Sequence, residues 1–258
     1  MKNKLLLLLI LGVTFFSACS DDDDNDHALV GKWNLGSVQV DEDQLFISGP
    51  LAFKWVAEEG TTIQIPLLGG MEIADIASLA EGFGSQLLKQ VLKDVTFQKK
   101  GQVIATYSDA GVSLDGSITP AWKTSEPKYL TYKIVSGDKI ALYPNIVNIL
   151  AAADLSLESL GTLGLSQADV TTLMAFINKM TTEGISATYK ITDQDKKLVV
   201  SLDKAFFDQV MVLLPILSKL IPENSTDPMI GMIKPILTQI PGVWAKTTAF
   251  EIGIKLEK

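Results

Sequence analysis

The 258-residue chain contains no arginine: all 22 of its basic side chains are lysines. Bidentate guanidinium clamps on phosphate or carboxylate groups are therefore excluded. Histidine occurs once, as His27, directly behind a run of aspartates, where a structural or incidental role is expected. Nucleophile machinery that depends on histidine is excluded, and so is histidine-ligated zinc. Cysteine also occurs once, as Cys19, so no disulfide forms within the chain and the fold has to rely on its core. There is no phosphate loop, no Gly-x-Gly-x-x-Gly behind a strand and no Gly-x-Ser-x-Gly elbow; Gly82-Phe83-Gly84-Ser85 reads as a glycine-containing piece of helix. No metal and no cofactor are expected, and the chain is not expected to be an enzyme. Positive charge is in deficit, with 30 acids against 22 lysines, so nucleic acid and anionic lipid surfaces are not expected partners.

What is present starts at the N-terminus. Lys2 and Lys4 precede an apolar run from Leu5 to Val13 that continues through Phe15 and Phe16 and ends in Ser17 and Ala18. A charged n-region, an h-region and a small-residue cleavage zone make residues 1–18 a signal peptide. The run is shorter than the roughly 20 apolar residues of a spanning helix. Phe16-Ser17-Ala18-Cys19 resembles the lipobox of bacterial lipoproteins, which implies that Cys19 carries the lipid and becomes the first mature residue. Residues 19–28 then form a tether with Asp21 to Asp24 and Asp26, a like-charge block that stays solvated and extended. It lacks the spaced oxygen ligands and turn glycine of a calcium loop. The acidic stretch resembles the export tag of Bacteroidetes-type surface lipoproteins. That resemblance implies an outer-membrane, lipid-anchored protein at the cell surface, the periplasmic face being the alternative. Removal of the signal moves the net charge from −8 to −10.

Residues 29–258 read as a single α+β domain. Alternating apolar positions predict about ten strands: one from Leu29 to Val40, then 52–56, 95–99, 102–107, 112–118, 129–135, 139–143, 185–191, 197–202 and 248–256. Lys100-Gly101 reads as a hairpin turn. Four helical stretches interrupt them: Met71 to Leu92, with Gly82 and Gly84 as points of loosening; one capped by Ser166 with Asp169 three residues on; one from 204 to 221 behind Asp203; and one from Asp227-Pro228 to Pro241-Gly242. The segment Thr131 to Leu142 matches Thr188 to Val199 at six of twelve positions, each a strand, a turn and a second strand that feed a helical region. Pro215 to Lys219 likewise matches Pro235 to Gln239, which suggests two short helices packed as a pair and bent at their prolines.

Many short strands with helices in their connections predict a curled antiparallel sheet of about eight to ten strands, closed or partly closed as a barrel. Gly31-Lys32-Trp33 on the first strand resembles the opening of lipocalins and of the lipocalin-like lipoproteins of uncharacterised function in Bacteroidetes. The resemblance implies that Trp33 closes the barrel base under a cation from the last strand. Without arginine, Lys246 or Lys255 would fill that place.

Three functions fit such a domain. The first is ligand binding: the apolar 204–221 segment and the 228–240 segment, with Met229 and Met232, predict a pocket between them and the barrel for an apolar or amphipathic small molecule. The second is an accessory glycan- or protein-binding surface built on Trp55 and Trp122. The third, a glycoside hydrolase, needs two carboxylates, for which Glu58, Glu59, Asp109, Asp115 and Glu126 beside Trp55, Tyr107 and Trp122 are the candidates.

Overall fold

Residues 27–43, 45–66, 69–113, 117–152, 165–219 and 228–258 are described by a computed structural model, residues 228–234 as backbone. The expected signal peptide, Cys19, the acidic run to Asp26, Asp115 and the side chains of Met229 and Met232 lie outside the described residues.

A closed antiparallel barrel of eight staves forms the body. β1 (Gly31–Leu35) pairs along one edge with β7 (Leu92–Phe97), Trp33 opposite Val95. β7 turns into β8 (Gln102–Ser108) through Gly101, whose φ of +74° suits a residue without Cβ. β10 (Leu130–Ser136) and β11 (Lys139–Pro144) form one hairpin; β12 (Ile185–Thr192) and β13 (Lys197–Asp203) form the next. These are the two sequence-related hairpins, paired to each other through β11 and β12. β14 (Thr247–Glu257) follows β13 and returns to β1, where Leu256 faces Leu35. The ring closes between β8 and β10, where the Tyr132 amide donates to the Gly101 carbonyl at 2.7 Å.

Two staves are interrupted. Along β14, β1 covers the last residues and β4 (Leu51–Ala57) covers 247–254, the chain leaving between them as the small hairpin of β2 (Gln39–Val40) and β3 (Phe46–Ser48). Along β8, β9 (Trp122–Thr124) covers the upper residues and β10 the lower. A further hairpin, β5 (Thr62–Ile65) with β6 (Gly69–Glu72), stands outside the barrel. The expected strand at 112–118 is absent at the described residues of that range. At Ser113 the backbone is held by a side chain instead: Gln90 accepts from the Ser113 amide and donates to its carbonyl, which leaves less demand for a strand neighbour there.

The helices occupy the connections. α1 (Ile73–Val91) starts two residues later than expected because Met71 and Glu72 belong to β6, and it is not broken by its glycines. Gly84 is instead the contact with β4, since a Cβ there would collide with the Leu51 side chain. α2 (Ile146–Ala152) and α3 (Gln167–Thr182) link β11 to β12; the Ser166 hydroxyl accepts from the Asp169 amide, and Asp169 accepts in return. The third predicted helix is two: α4 (Lys204–Met211), capped by Asp203, and α5 (Leu214–Lys219). Pro215 sits in the first turn of α5, where its missing N–H is tolerated, rather than at an internal bend. α6 (Pro228–Trp244) runs past Pro241-Gly242 to Trp244, beyond its expected end. Among the described residues no helix is long and apolar enough to cross a membrane.

Inward-facing side chains fill the barrel: Trp33, Val95, Phe97, Ile140, Ala187, Leu198 and Leu256 belong to one buried core that also takes Leu88 and Val91 from α1. Burying a Leu, Ile or Phe stabilises by roughly 1.5–3 kcal/mol each, so this core dominates the stability. One carboxylate is buried in the wall: Asp94, 4% exposed, pairs with Lys32 at 3.0 Å and accepts from the Thr106 hydroxyl at 2.9 Å.

Candidate functional site

The two ends of the barrel differ. At the base, the N-terminal turn lays Leu29 across the opening, fully buried, where its carbonyl accepts from the Trp33 indole N–H at 2.8 Å. Trp33 is 0% exposed, and a lysine ammonium lies over its ring, 4.3 Å from the centroid. That lysine is Lys258. Lys246 and Lys255 do not fill the place: Lys255 pairs with Glu81 at 2.7 Å, and Lys246 stands beyond α6 at the other end. The φ of +129° at Gly31 explains the glycine of the opening motif, and the Lys258 stem runs past it. His27 belongs to this base plug. Its Nδ1 accepts from the Leu29 amide at 3.2 Å, and its Nε2 meets the Tyr189 hydroxyl at 3.2 Å, so its role here is structural. Burial holds the Tyr132 phenol, whose hydroxyl donates to the Gln98 carbonyl, up to about 12.

Toward the other end the barrel encloses a cavity of about 60 Å³. Leu92, Val95, Phe97, Val103, Leu130 and Leu142 form one side, and residues 200–202 and 252–254 the other; Ser201 is the only one of these with a polar side chain. On this measure a single water needs roughly 10–15 Å³ and two to four polar partners, of which the lining side chains supply one, Ser201, so the space suits apolar groups better than water. Small-molecule pockets run to about 300–1,000 Å³, so the cavity holds at most the end of an apolar chain without rearrangement.

Above it stands a cluster of six aromatic rings around Phe250, which follows Ile254 and Ile252 on the inward register of β14. Phe250 meets Phe53 and Trp55 of β4 at 5.5 Å each, Phe207 of α4 at 4.8 Å and Trp244 of α6 at 5.0 Å, all edge-to-face. Phe206 meets Phe207 edge-to-face at 5.2 Å, and both also pack against the barrel core. Edge-to-face pairs are worth roughly 0.5–1.5 kcal/mol beyond area burial. All six rings are half-buried; they roof this end of the barrel beyond the cavity, whose own lining reaches Leu202 and Ile252 and includes none of them. Asp208 ties the roof together: it accepts from the Lys204 ammonium and the Trp244 indole N–H, both at 2.7 Å, which with Lys204 foremost holds its carboxyl below the ordinary range. Lys204 also lies 5.0 Å over the Trp244 ring.

The other sequence-derived candidates disperse. Trp55 is in the roof, its N–H donating to the Thr247 hydroxyl at 2.9 Å, whereas Trp122 is 39% exposed on β9. In the sheet order β14, β1, β7 and β8 lie between those strands, so the two tryptophans do not make one platform. Glu58 and Glu59 end β4, while Asp109 and Glu126 flank β9. Asp109 is paired with Lys123; Glu126 is paired with Lys128 at 2.7 Å, which holds its carboxyl low, the reverse of what a general acid needs. Among the described residues no three metal-ligating acids, cysteines or histidines gather. The reading from sequence placed the pocket between the barrel interior and the 204–221 and 228–240 segments. The cavity is instead lined by strand residues alone, because inward side chains of the barrel enclose it before the helices are reached. Phe250 as the hub of the rings was missed, although the alternation Phe250, Ile252, Ile254, Leu256 was its available signal.

The chain matches no protein-family model, no curated protein and no solved structure.

Proposed function

We propose that this chain is an exported envelope lipoprotein, held by lipid on Cys19 at the outer membrane and displayed at the cell surface, whose lipocalin-like barrel binds the apolar part of an amphipathic ligand. The observation that carries the reading is the apolar cavity inside a closed barrel, lined by strand residues up to Leu202 and Ile252, with the half-buried rings of α4, α6, β4 and β14 gathered beyond it. The base is sealed by Leu29, Trp33 and Lys258, so the roof is the route of access. Binding requires Phe207 to move off Phe250, and Phe206 with it, which enlarges the space and leaves the polar end of the ligand among Lys204, Asp208 and solvent. The arrangement at Trp33 also supports membership of the lipocalin-like lipoproteins. The signal peptide, the cysteine at its end and the acidic tether support the address.

The test uses mature protein with Cys19→Ser. Native mass spectrometry reads co-purifying lipid, and a fluorescent fatty-acid probe reads binding in solution. The expected result is saturable probe binding that is lost in Val200→Phe, which fills the cavity from β13. Absence of both lipid and probe binding, or undiminished binding in a folded Val200→Phe protein, sinks the proposal.

A further inference from the structure

In an up-and-down barrel successive connections alternate between the two ends. Here β7–β8, β10–β11 and β12–β13 join at the base by short turns, the chain enters the barrel at the base through His27, and β14 ends there. The remaining connections, β1 to β7, β8 to β10, β11 to β12 and β13 to β14, all lie at the opposite end, and between them they carry all six described helices. These connections and the aromatic rings therefore make one crown at the end opposite the N-terminal attachment, while α1 also runs along the outer wall, where its Glu81 reaches Lys255.

We propose that this crown faces away from the membrane that holds the lipid, so that a ligand reaches the barrel from the aqueous side and not laterally from the anchoring bilayer. The inference rests on lipidation of Cys19. Eight residues, 19–26, separate the lipid from the ordered base. Fully extended at about 3.3–3.6 Å per residue they reach roughly 26–29 Å. β13 has seven residues, which at ordinary strand rise and tilt is about 18 Å along the barrel axis. A helix layer adds about 10 Å. Turning the crown onto the bilayer would thus consume about 28 Å, the whole tether, with nothing left to reach the membrane. The base, closed by tight turns and by Lys258 over Trp33, is the end held at the bilayer.

The experiment uses the full lipidated chain in phosphatidylcholine vesicles whose headgroups carry a nitroxide quencher. Because Cys19 is the only cysteine and is blocked by lipid, one introduced cysteine can be labelled selectively with a fluorophore. Lys100→Cys and Lys139→Cys report the base; Gln209→Cys and Thr181→Cys report the crown, and all four positions are exposed. The expected result is several-fold stronger quenching at both base positions than at both crown positions. Equal or stronger quenching at the crown, in protein that floats with the vesicles, overturns the orientation and leaves the anchor standing. Protein that does not float with vesicles overturns the anchor, and the orientation with it. Two probes at each end keep the result independent of any one variant's folding.

Discussion

The contact of Lys258 with Trp33 invites a direct test, because the sequence offered Lys246 or Lys255 for the place and a third lysine holds it. Trp33 is fully buried and the Lys258 ammonium lies 4.3 Å from its ring centroid, also donating to the Ala28 carbonyl at 3.2 Å. A cation over an indole contributes roughly 0.5–1 kcal/mol when exposed and about 2 when desolvated. Lys258 is itself exposed, so the lower half of that range applies, with a little more from the hydrogen bond. Lys258→Met keeps an apolar stem over the indole and removes the charge. We expect a loss of about 1–1.5 kcal/mol, which for a domain of this size lowers Tm by roughly 2–6 °C. Lys258→Arg should keep wild-type stability, since a guanidinium stacks on aromatic faces. Lys246→Met should change nothing, and Lys255→Met should cost at most about 1 kcal/mol through its half-exposed pair with Glu81. Urea unfolding followed by far-UV circular dichroism measures all four. A Lys258→Met protein within about 0.3 kcal/mol of wild type, or no different from Lys246→Met, would refute the idea that the cation seals the base.

Phe207→Ala removes ring contacts to Phe206 and Phe250 from a half-buried site, so stability should fall by about 2 kcal/mol in chemical unfolding while fatty-acid probe affinity rises; a fall in both would contradict the roof's role. Gly253→Ala places a methyl 2.7 Å from Ser201 Cβ and 2.8 Å from the Val200 carbonyl, an overpacking of about 1–3 kcal/mol read as a lower urea midpoint. The Asp169 carboxyl is held at about 2 by Lys219 first and then by Ser166. Its folded value lies below its unfolded one, so its contribution is fully present above about pH 4 and is lost as pH falls toward 2. Acid titration of Asp169→Asn against wild type should therefore show the two stabilities converging over that interval, and parallel curves would refute the assignment. Ser166→Ala should lose about 1 kcal/mol at neutral pH from the cap, measured by thermal unfolding.

Much of the fold is legible in the chain because its signals are local. Alternation marks most of the barrel strands, Gly101 marks a turn, Ser166 and Asp203 mark helix starts, and the repeated Thr-Tyr-Lys-Ile segments mark two hairpins that the barrel places side by side. Where local signals compete, tertiary context decides. Residues 112–118 have strand-like composition, yet Gln90 from α1 holds the Ser113 backbone and β9 forms later, at Trp122. The break between α4 and α5 was available in Pro215, but apolar continuity from 204 to 221 concealed it.

By itself the sequence determined the stave count to within two, the order of hairpins, the helix caps and the exclusion of histidine- and arginine-based chemistry, since each depends on residues near one another in the chain or on a residue's absence. Only the tertiary structure decided that Lys258 covers Trp33, that Phe250 gathers rings from residues 53 to 244, and that the barrel interior leaves about 60 Å³. Those depend on strand register and on the summed volumes of side chains far apart in sequence, quantities that exist only once the barrel has closed.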